Sequence, residues 1–298
     1  MGDVRREQVV SDAIETVDVL VVRPRAQAAA WVAELTALGI AAHALPLIEI
    51  LDAPEPRAVD DVFAEVVRLA ATFVGAAAAS DSGARADTST RPLLVFVSPN
   101  AVAGFFAAIA RSRGVAAATL AWPADAWAAA TGPGTVAALR EAGVPDRRIV
   151  APPSAPAQFD SEALWRRLAG WHWSARPVWL VRGNGGRDWL GQQLRERGAE
   201  VRVVQSYARG APLLGADERA LLARAIAEPG RWIWMFSSSE AIDHLAVLAP
   251  GADWRAGRAL ASHPRIAERA TALGFGRVTT VAPSAAAVAR ALASVGAS

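Results

Sequence analysis

Four blocks of sequence occur along this 298-residue chain and then recur in the same order, which points to a duplicated α/β unit. In the first block Val19, Leu20, Val21, Val22 and Arg23 precede an amphipathic stretch ending at Gly39; Val178 to Gly198 repeats it without a gap, Arg182 matching Arg23 and Leu194 matching Leu35. The second block, Phe96, Val97, Ser98, Pro99, Asn100, Ala101, is echoed by Trp234, Met235, Phe236, Ser237, Ser238, Ser239, Glu240, Ala241. In the third, Gly132, Pro133, Gly134 and Thr135 lead to Gly143, while His263, Pro264, Arg265 and Ile266 lead to Gly274 at the same Pro-to-Gly spacing. The fourth pairs Val150, Ala151, Pro152 with Val281, Ala282, Pro283. Two copies facing one another suggest a ligand held between two lobes.

Hydrophobic runs alternate with helical stretches: Val19 to Val22 then Gln27 to Leu38, Leu93 to Val97 then Ala101 to Ser112, Val178 to Val181 then Arg187 to Arg197. This alternation predicts an α/β fold of parallel sheets with crossover helices. Ala76 to Thr90 is small, polar and aperiodic, and reads as a flexible surface insertion without chemistry. Leu45 to Leu51 and Val201 to Ala208 are extended stretches that either finish the sheets or bridge the lobes. The repeat order leaves open whether the first block stays with its own copy or exchanges.

The calculated pI of 10.1 looks like a nucleic-acid signature, but the formal net charge is only +2. Every basic residue among the 31 is Arg; without Lys or Cys, and with one Tyr, little titrates between neutrality and the Arg pKa. The arginines are dispersed, so no nucleic-acid partner is expected. Absence of Lys removes Schiff-base chemistry and the lysine-bearing phosphate loop, and absence of Cys removes thiol catalysis, disulfides and thiolate metal sites. His43, His172, His244 and His263 lack the short spacing of a helical metal pair, so no metal or other cofactor is expected. Met1 to Thr16 does not resemble a secretory signal, and no uncharged apolar run approaches the ~18 residues of a membrane span. The expectation is a cytoplasmic protein with no membrane partner.

Ligands of open α/β sheets lie beyond the carboxyl ends of the strands, where helix N-termini present free N–H groups. Ser98, Asn100, Gly132, Thr135, Arg182, Gly183, Arg187, Ser237 and Ser238 all follow predicted strands, and Arg can add bidentate carboxylate contacts. The plainer reading is that such Ser and Thr residues are N-caps, and that Arg23 and Arg182 are solvated charges. Gly132, Gly134 and Ala137 match a loose dinucleotide pattern, but Pro133 interrupts it and no acid follows at the ribose position. Tyr207, the only tyrosine, is either a proton donor or half-buried packing. The 11 tryptophans read as packing residues.

Taken together, these residues resemble the uroporphyrinogen-III synthase family over essentially Val19 to Leu292. The likeness rests on Val21 to Arg25, Leu45 to Glu49, Phe96 to Ala101, Gly132 to Thr135, Arg182, Gly183, Gly186, Arg187, Tyr207, and Phe236 to Ser238; each motif is weak alone, and their joint order is specific. It implies two Rossmann-like domains joined by a two-stranded linker, with the first βα unit swapped between the sequence repeats. The implied division is 1–45 plus 208–298, an inserted 52–200, and linker strands 46–51 and 201–207. It also implies cyclisation of hydroxymethylbilane, a linear tetrapyrrole, to uroporphyrinogen III with loss of water and inversion of ring D, and no cofactor. Tyr207 matches the suspected proton donor, and Arg23, Ser98, Asn100, Gly132, Thr135, Arg182, Gly183, Arg187, Ser237 and Ser238 the substrate-holding positions. One departure stands out: His263, Pro264, Arg265, Ile266 replaces the family's second Gly-Pro-x-Thr turn, leaving His263 or Arg265 to meet a carboxylate, or His263 as an idle surface residue. A monomer is implied, with the upstream hydroxymethylbilane-forming enzyme as candidate protein partner. The alternatives are a non-catalytic two-lobed binder or sensor of an acidic metabolite and a nucleotide-dependent transferase.

Overall fold

The computed structural model describes residues 17–79, 91–153, 161–186 and 188–295. From the amino end the elements are β1 (Asp18–Val21), α1 (Arg25–Ala37), β2 (Ala42–Ala44), β3 (Glu49–Asp52) and α2 (Pro56–Ala79). Next come β4 (Leu93–Phe96), α3 (Pro99–Arg113), β5 (Trp127–Ala130), α4 (Pro133–Glu141), β6 (Ile149–Val150), α5 (Ser161–Leu168), β7 (Pro177–Arg182), α6 (Trp189–Glu196), β8 (Glu200–Gln205) and β9 (Tyr207–Gly210). The chain finishes with α7 (Ala216–Ala227), β10 (Trp232–Phe236), α8 (Ser239–Leu248), β11 (Arg258–Ala261), α9 (Pro264–Leu273), β12 (Arg277–Thr280) and α10 (Ala285–Val295).

The chain divides into two compact units. Unit 1 comprises Met1–Glu49 and Gly210–Ser298, and unit 2 is Ile50–Arg209. Unit 1 holds a five-stranded sheet in the order β12-β11-β10-β1-β2, and unit 2 one in the order β6-β5-β4-β7-β8. All pairings in both sheets are parallel. The α/β class read from the alternating pattern therefore holds.

Central strands of parallel sheets are covered on both faces, so they need continuous apolar runs. β4, Leu-Leu-Val-Phe, and β10, Trp-Ile-Trp-Met-Phe, are buried at every position. On one face of the unit 2 sheet Phe96, Phe105, Phe106 and Phe63 meet edge-to-face, with centroids 5.5 to 6.1 Å apart. Such pairs contribute about 0.5–1.5 kcal/mol beyond area burial. Trp179, Trp232 and Trp234 are among the largest fully buried side chains, as the packing reading of the tryptophans requires.

Three expectations change. The second bridging stretch, expected at 201–207, is mostly β8, whose Val201 to Gln205 pair with Val178 to Arg182 of β7. Only Tyr207–Gly210 pairs with β3, in a separate two-stranded sheet. An extended apolar run looks alike in either role, and only its hydrogen-bond partner decides. Within the supposed Ala76 to Thr90 insertion, Ala76 to Ala79 end α2; the remainder lies outside the described residues, as do Met1 to Thr16 and Arg187. The first linker stretch is likewise offset: Leu45, Leu47 and Ile48 are buried ahead of β3.

Candidate active site

Strand order in unit 2 reverses between β4 and β7: β5 and β6 lie on one side of β4, while β8 lies beyond β7. Carboxyl ends of strands at such a switch point diverge into a crevice. Three residues converge there. Ser98 caps α3, its Oγ accepting from the Ala101 N–H at 3.1 Å. Gly183 follows β7 directly. Tyr207, 4% exposed, sets its hydroxyl 3.4 Å from Ser98 Oγ.

The ring of Tyr207 lies on Gly183 so closely that a Cβ there would sit 2.7 Å from Tyr207 Cζ. Backbone around it is fixed on both sides. The Ser206 N–H donates to the Arg182 carbonyl at 2.9 Å, and the buried Ser206 hydroxyl donates to the Ala101 carbonyl at 2.9 Å. Gly104 lets this segment approach α3, since a Cβ there would be 2.2 Å from the Ser206 carbonyl oxygen. Beyond Tyr207, the Asn184 side-chain amide donates to the Arg209 carbonyl at 3.0 Å and accepts from its N–H at 2.7 Å.

The neighbouring turn adds polar groups. Gly132 is the N-cap of α4 with Pro133 in the first turn, and the Thr131 hydroxyl donates to the Val97 carbonyl at 3.1 Å. Asn100 is half-buried in the first turn of α3. Thr135 is buried at 3% exposure and presents almost no surface. Arg182 turns toward its own loop, donating from Nη2 to the Gly186 carbonyl at 3.3 Å, with Asp188 Oδ1 3.7 Å from Nη1. Its guanidinium thus helps shape the loop in addition to any ligand it holds. Sequence reading missed Asn184, Ser206, Thr131 and Gly104, because no local signal says which backbone will approach a lone glycine within a helix.

Unit 1 repeats the plan with different chemistry. Its order reverses between β10 and β1. Ser238 caps α8, accepting from the Glu240 N–H at 3.2 Å, with half-buried Ser237 beside it. Arg23 follows β1 and lies over the Trp31 ring at 4.5 Å. Burial lowers its pKa, Glu34 opposing, though a guanidinium remains charged at any physiological pH. His263 caps α9 with Nδ1 accepting from the Arg265 N–H at 3.2 Å, a side-chain cap that its unit 2 counterpart Gly132 does not make for α4. Both His263 and Arg265 are exposed. Among the described residues no group of three or more His, Cys, Asp or Glu side chains could hold a metal ion, and no helix is long and apolar enough to cross a membrane.

A family model described as uroporphyrinogen-III synthase HemD matches residues 29–289. Among solved structures, the chain resembles a mutant uroporphyrinogen III synthase from the extremely thermophilic bacterium Thermus thermophilus at 16% identity, covering 94% of this chain and 98% of that one, with a TM-score of 0.50. It also resembles uroporphyrinogen-III synthetase from Helicobacter pylori at 14% identity, covering 94% and 99%, with a TM-score of 0.52. At these identities the structural likeness speaks for the fold, and the family model for membership.

Proposed function

We propose, from the premise that this chain belongs to the uroporphyrinogen-III synthase family, that Tyr207 is the proton donor of its ring closure. The enzyme is a cyclising lyase of tetrapyrrole biosynthesis that converts hydroxymethylbilane to uroporphyrinogen III. Protonation of the departing hydroxyl lets it leave the hydroxymethyl group of ring A as water, which gives an electrophilic azafulvenium cation. The electron-rich substituted carbon of ring D attacks it to form a spiro intermediate, and ring D is then released and reattached inverted. The pyrroles supply most of this reactivity. What remains for the protein is to protonate the departing hydroxyl and to hold a flexible chain in one productive shape.

The observation that carries the reading is the Tyr207 hydroxyl 3.4 Å from Ser98 Oγ at the switch point of unit 2. A phenol that gives up its proton becomes an anion, so it needs a stabiliser at that moment. Ser98 can donate its own hydroxyl proton to the phenolate, and the positive end of the 15-residue α3 lies behind Ser98. No strong nucleophile is required, which suits a chain without Lys or Cys. Arg23, Ser237 and Ser238 of unit 1, and Asn100, Gly132 and Gly183 of unit 2, are proposed to hold the substrate's carboxylates through guanidinium and N-terminal N–H groups. Arg182, Thr135, His263 and Arg265 are weaker candidates, because Arg182 serves its loop, Thr135 is buried and the other two form an exposed cap, while Arg187 lies outside the described residues and stays a candidate on its sequence position alone. We further propose that the chain acts in the cytoplasm as a monomer, receiving hydroxymethylbilane from the enzyme that forms it.

The test is to incubate the protein with freshly prepared hydroxymethylbilane and separate the uroporphyrinogen isomers. Isomer III is expected. Formation of isomer I alone, the product of unassisted closure, rejects the enzyme and favours a non-catalytic binder.

A further inference from the structure

We propose that Asn184, acting with Gly104 and Gly183, is a positioning residue that seats Tyr207 for proton transfer; the inference rests on the role given to Tyr207 above. Asn184 follows Gly183, and its side-chain amide joins both backbone groups of Arg209, as a neighbouring strand would. β7 ends at Arg182, and the Ser206 N–H is the next donor to it. Asn184 extends that pairing beyond the end of the strand, so the backbone is held immediately before Tyr207 and two residues after it. In an extended chain, residues two apart point to the same face. Fixing Arg209 therefore fixes the direction in which the phenol projects.

The glycines complete the seat by what they leave out. At Gly183 a methyl group would overlap the Tyr207 ring, and at Gly104 it would overlap the Ser206 carbonyl. Neither glycine has a positive φ, so neither is required by backbone conformation. The repeat supplies an internal comparison. The unit 1 positions matching Gly183, Gly104 and Tyr207 are Pro24, His244 and Ile48. Where the smooth face of Gly104 admits the Ser206 carbonyl directly, His244 Nδ1 lies 2.6 Å from the matching Leu47 carbonyl. The space for a phenol, and the phenol itself, occur together in unit 2.

Because Tyr207 is the only tyrosine, replacing tyrosine by 3-fluorotyrosine gives a single 19F resonance that reports on this ring. Asn184 is exposed, so Asn184→Ala is expected to fold; the variant should displace the resonance and lower kcat roughly 10- to 100-fold, with KM little changed. Asn184→Asp, which keeps the acceptor for the Arg209 N–H and loses the donor, should fall between wild type and Asn184→Ala in both readouts. Should Asn184→Ala keep the wild-type resonance, or displace it without any loss of kcat, the positioning role is overturned. Wild-type protein that makes only isomer I, or a Tyr207→Phe variant with unaltered kcat, overturns the reading of function instead, and these two controls tell that failure apart from failure of the positioning role.

Discussion

At the scale of single residues, the phenol of Tyr207 and the guanidinium of Arg23 are proposed for different tasks and should fail in different ways. Tyr207→Phe removes one long hydrogen bond to Ser98, so stability should change by about 1 kcal/mol or less. Loss of an acid from the transition state should cost about 10²-fold or more in kcat with KM nearly unchanged. Steady-state kinetics decide, and an unaltered kcat removes Tyr207 from the acid role. Arg23→Ala is expected to raise KM and leave kcat nearly intact, because a carboxylate clamp acts on ground state and transition state alike. Equal KM values in variant and wild type would discard the clamp. The sequence marked Ser98, Ser238 and Tyr207 because they follow apolar runs, and the two serines are indeed helix caps. It could not mark Asn184, whose partner stands 25 residues away, and a side-chain amide carries no pattern of its own.

At the scale of elements, α7 shows how one ionised side chain can secure a helix end. Its N-cap is Gly215, which has no side chain; Glu218 reaches back to accept from the Gly215 N–H at 2.8 Å and pairs with Arg25 at the start of α1. The Arg25 hydrogen bond above all, then the Gly215 N–H, hold the Glu218 carboxyl below the usual carboxylate range, against the opposing effect of burial. A folded-state pKa below the unfolded one gives stability that is complete above the unfolded value, about 4.3 for Glu, and is lost as pH falls through the folded value. Urea unfolding midpoints should therefore drop as pH is lowered from about 5. Glu218→Gln, which keeps an acceptor and loses the charge, should be less stable than wild type near neutrality and should approach it in acid; a constant difference across that range would contradict the argument. Element identity was largely legible: β1, β4, β7, α1 and α3 fall within a few residues of the runs that announced them. β8 and β9 were not separable, because Val201 to Ala208 is one extended run whose division is made by its partners, β7 on one side of Ser206 and β3 on the other.

At the scale of the whole molecule, the duplication was the most legible feature, since matching blocks became matching strands in two five-stranded sheets of the same order. The difference between the copies matters more for function. Leu47 and Ile48 stand where Ser206 and Tyr207 stand in the other unit, and both are buried apolar residues. A duplicated scaffold thus keeps two switch points and places a phenol at one of them. If the seat and not the bare residue type makes the acid, then moving the phenol to the other copy should fail. Ile48→Tyr must fit a larger ring at a buried position where Pro24 and His244 stand in place of the two glycines, and overpacking costs about 1–3 kcal/mol. The double variant Ile48→Tyr/Tyr207→Phe should consequently remain as slow as Tyr207→Phe alone, with a lower urea midpoint. Recovery of isomer III formation in the double variant would mean that either switch point can host the acid, and that the asymmetry between the copies has no catalytic consequence.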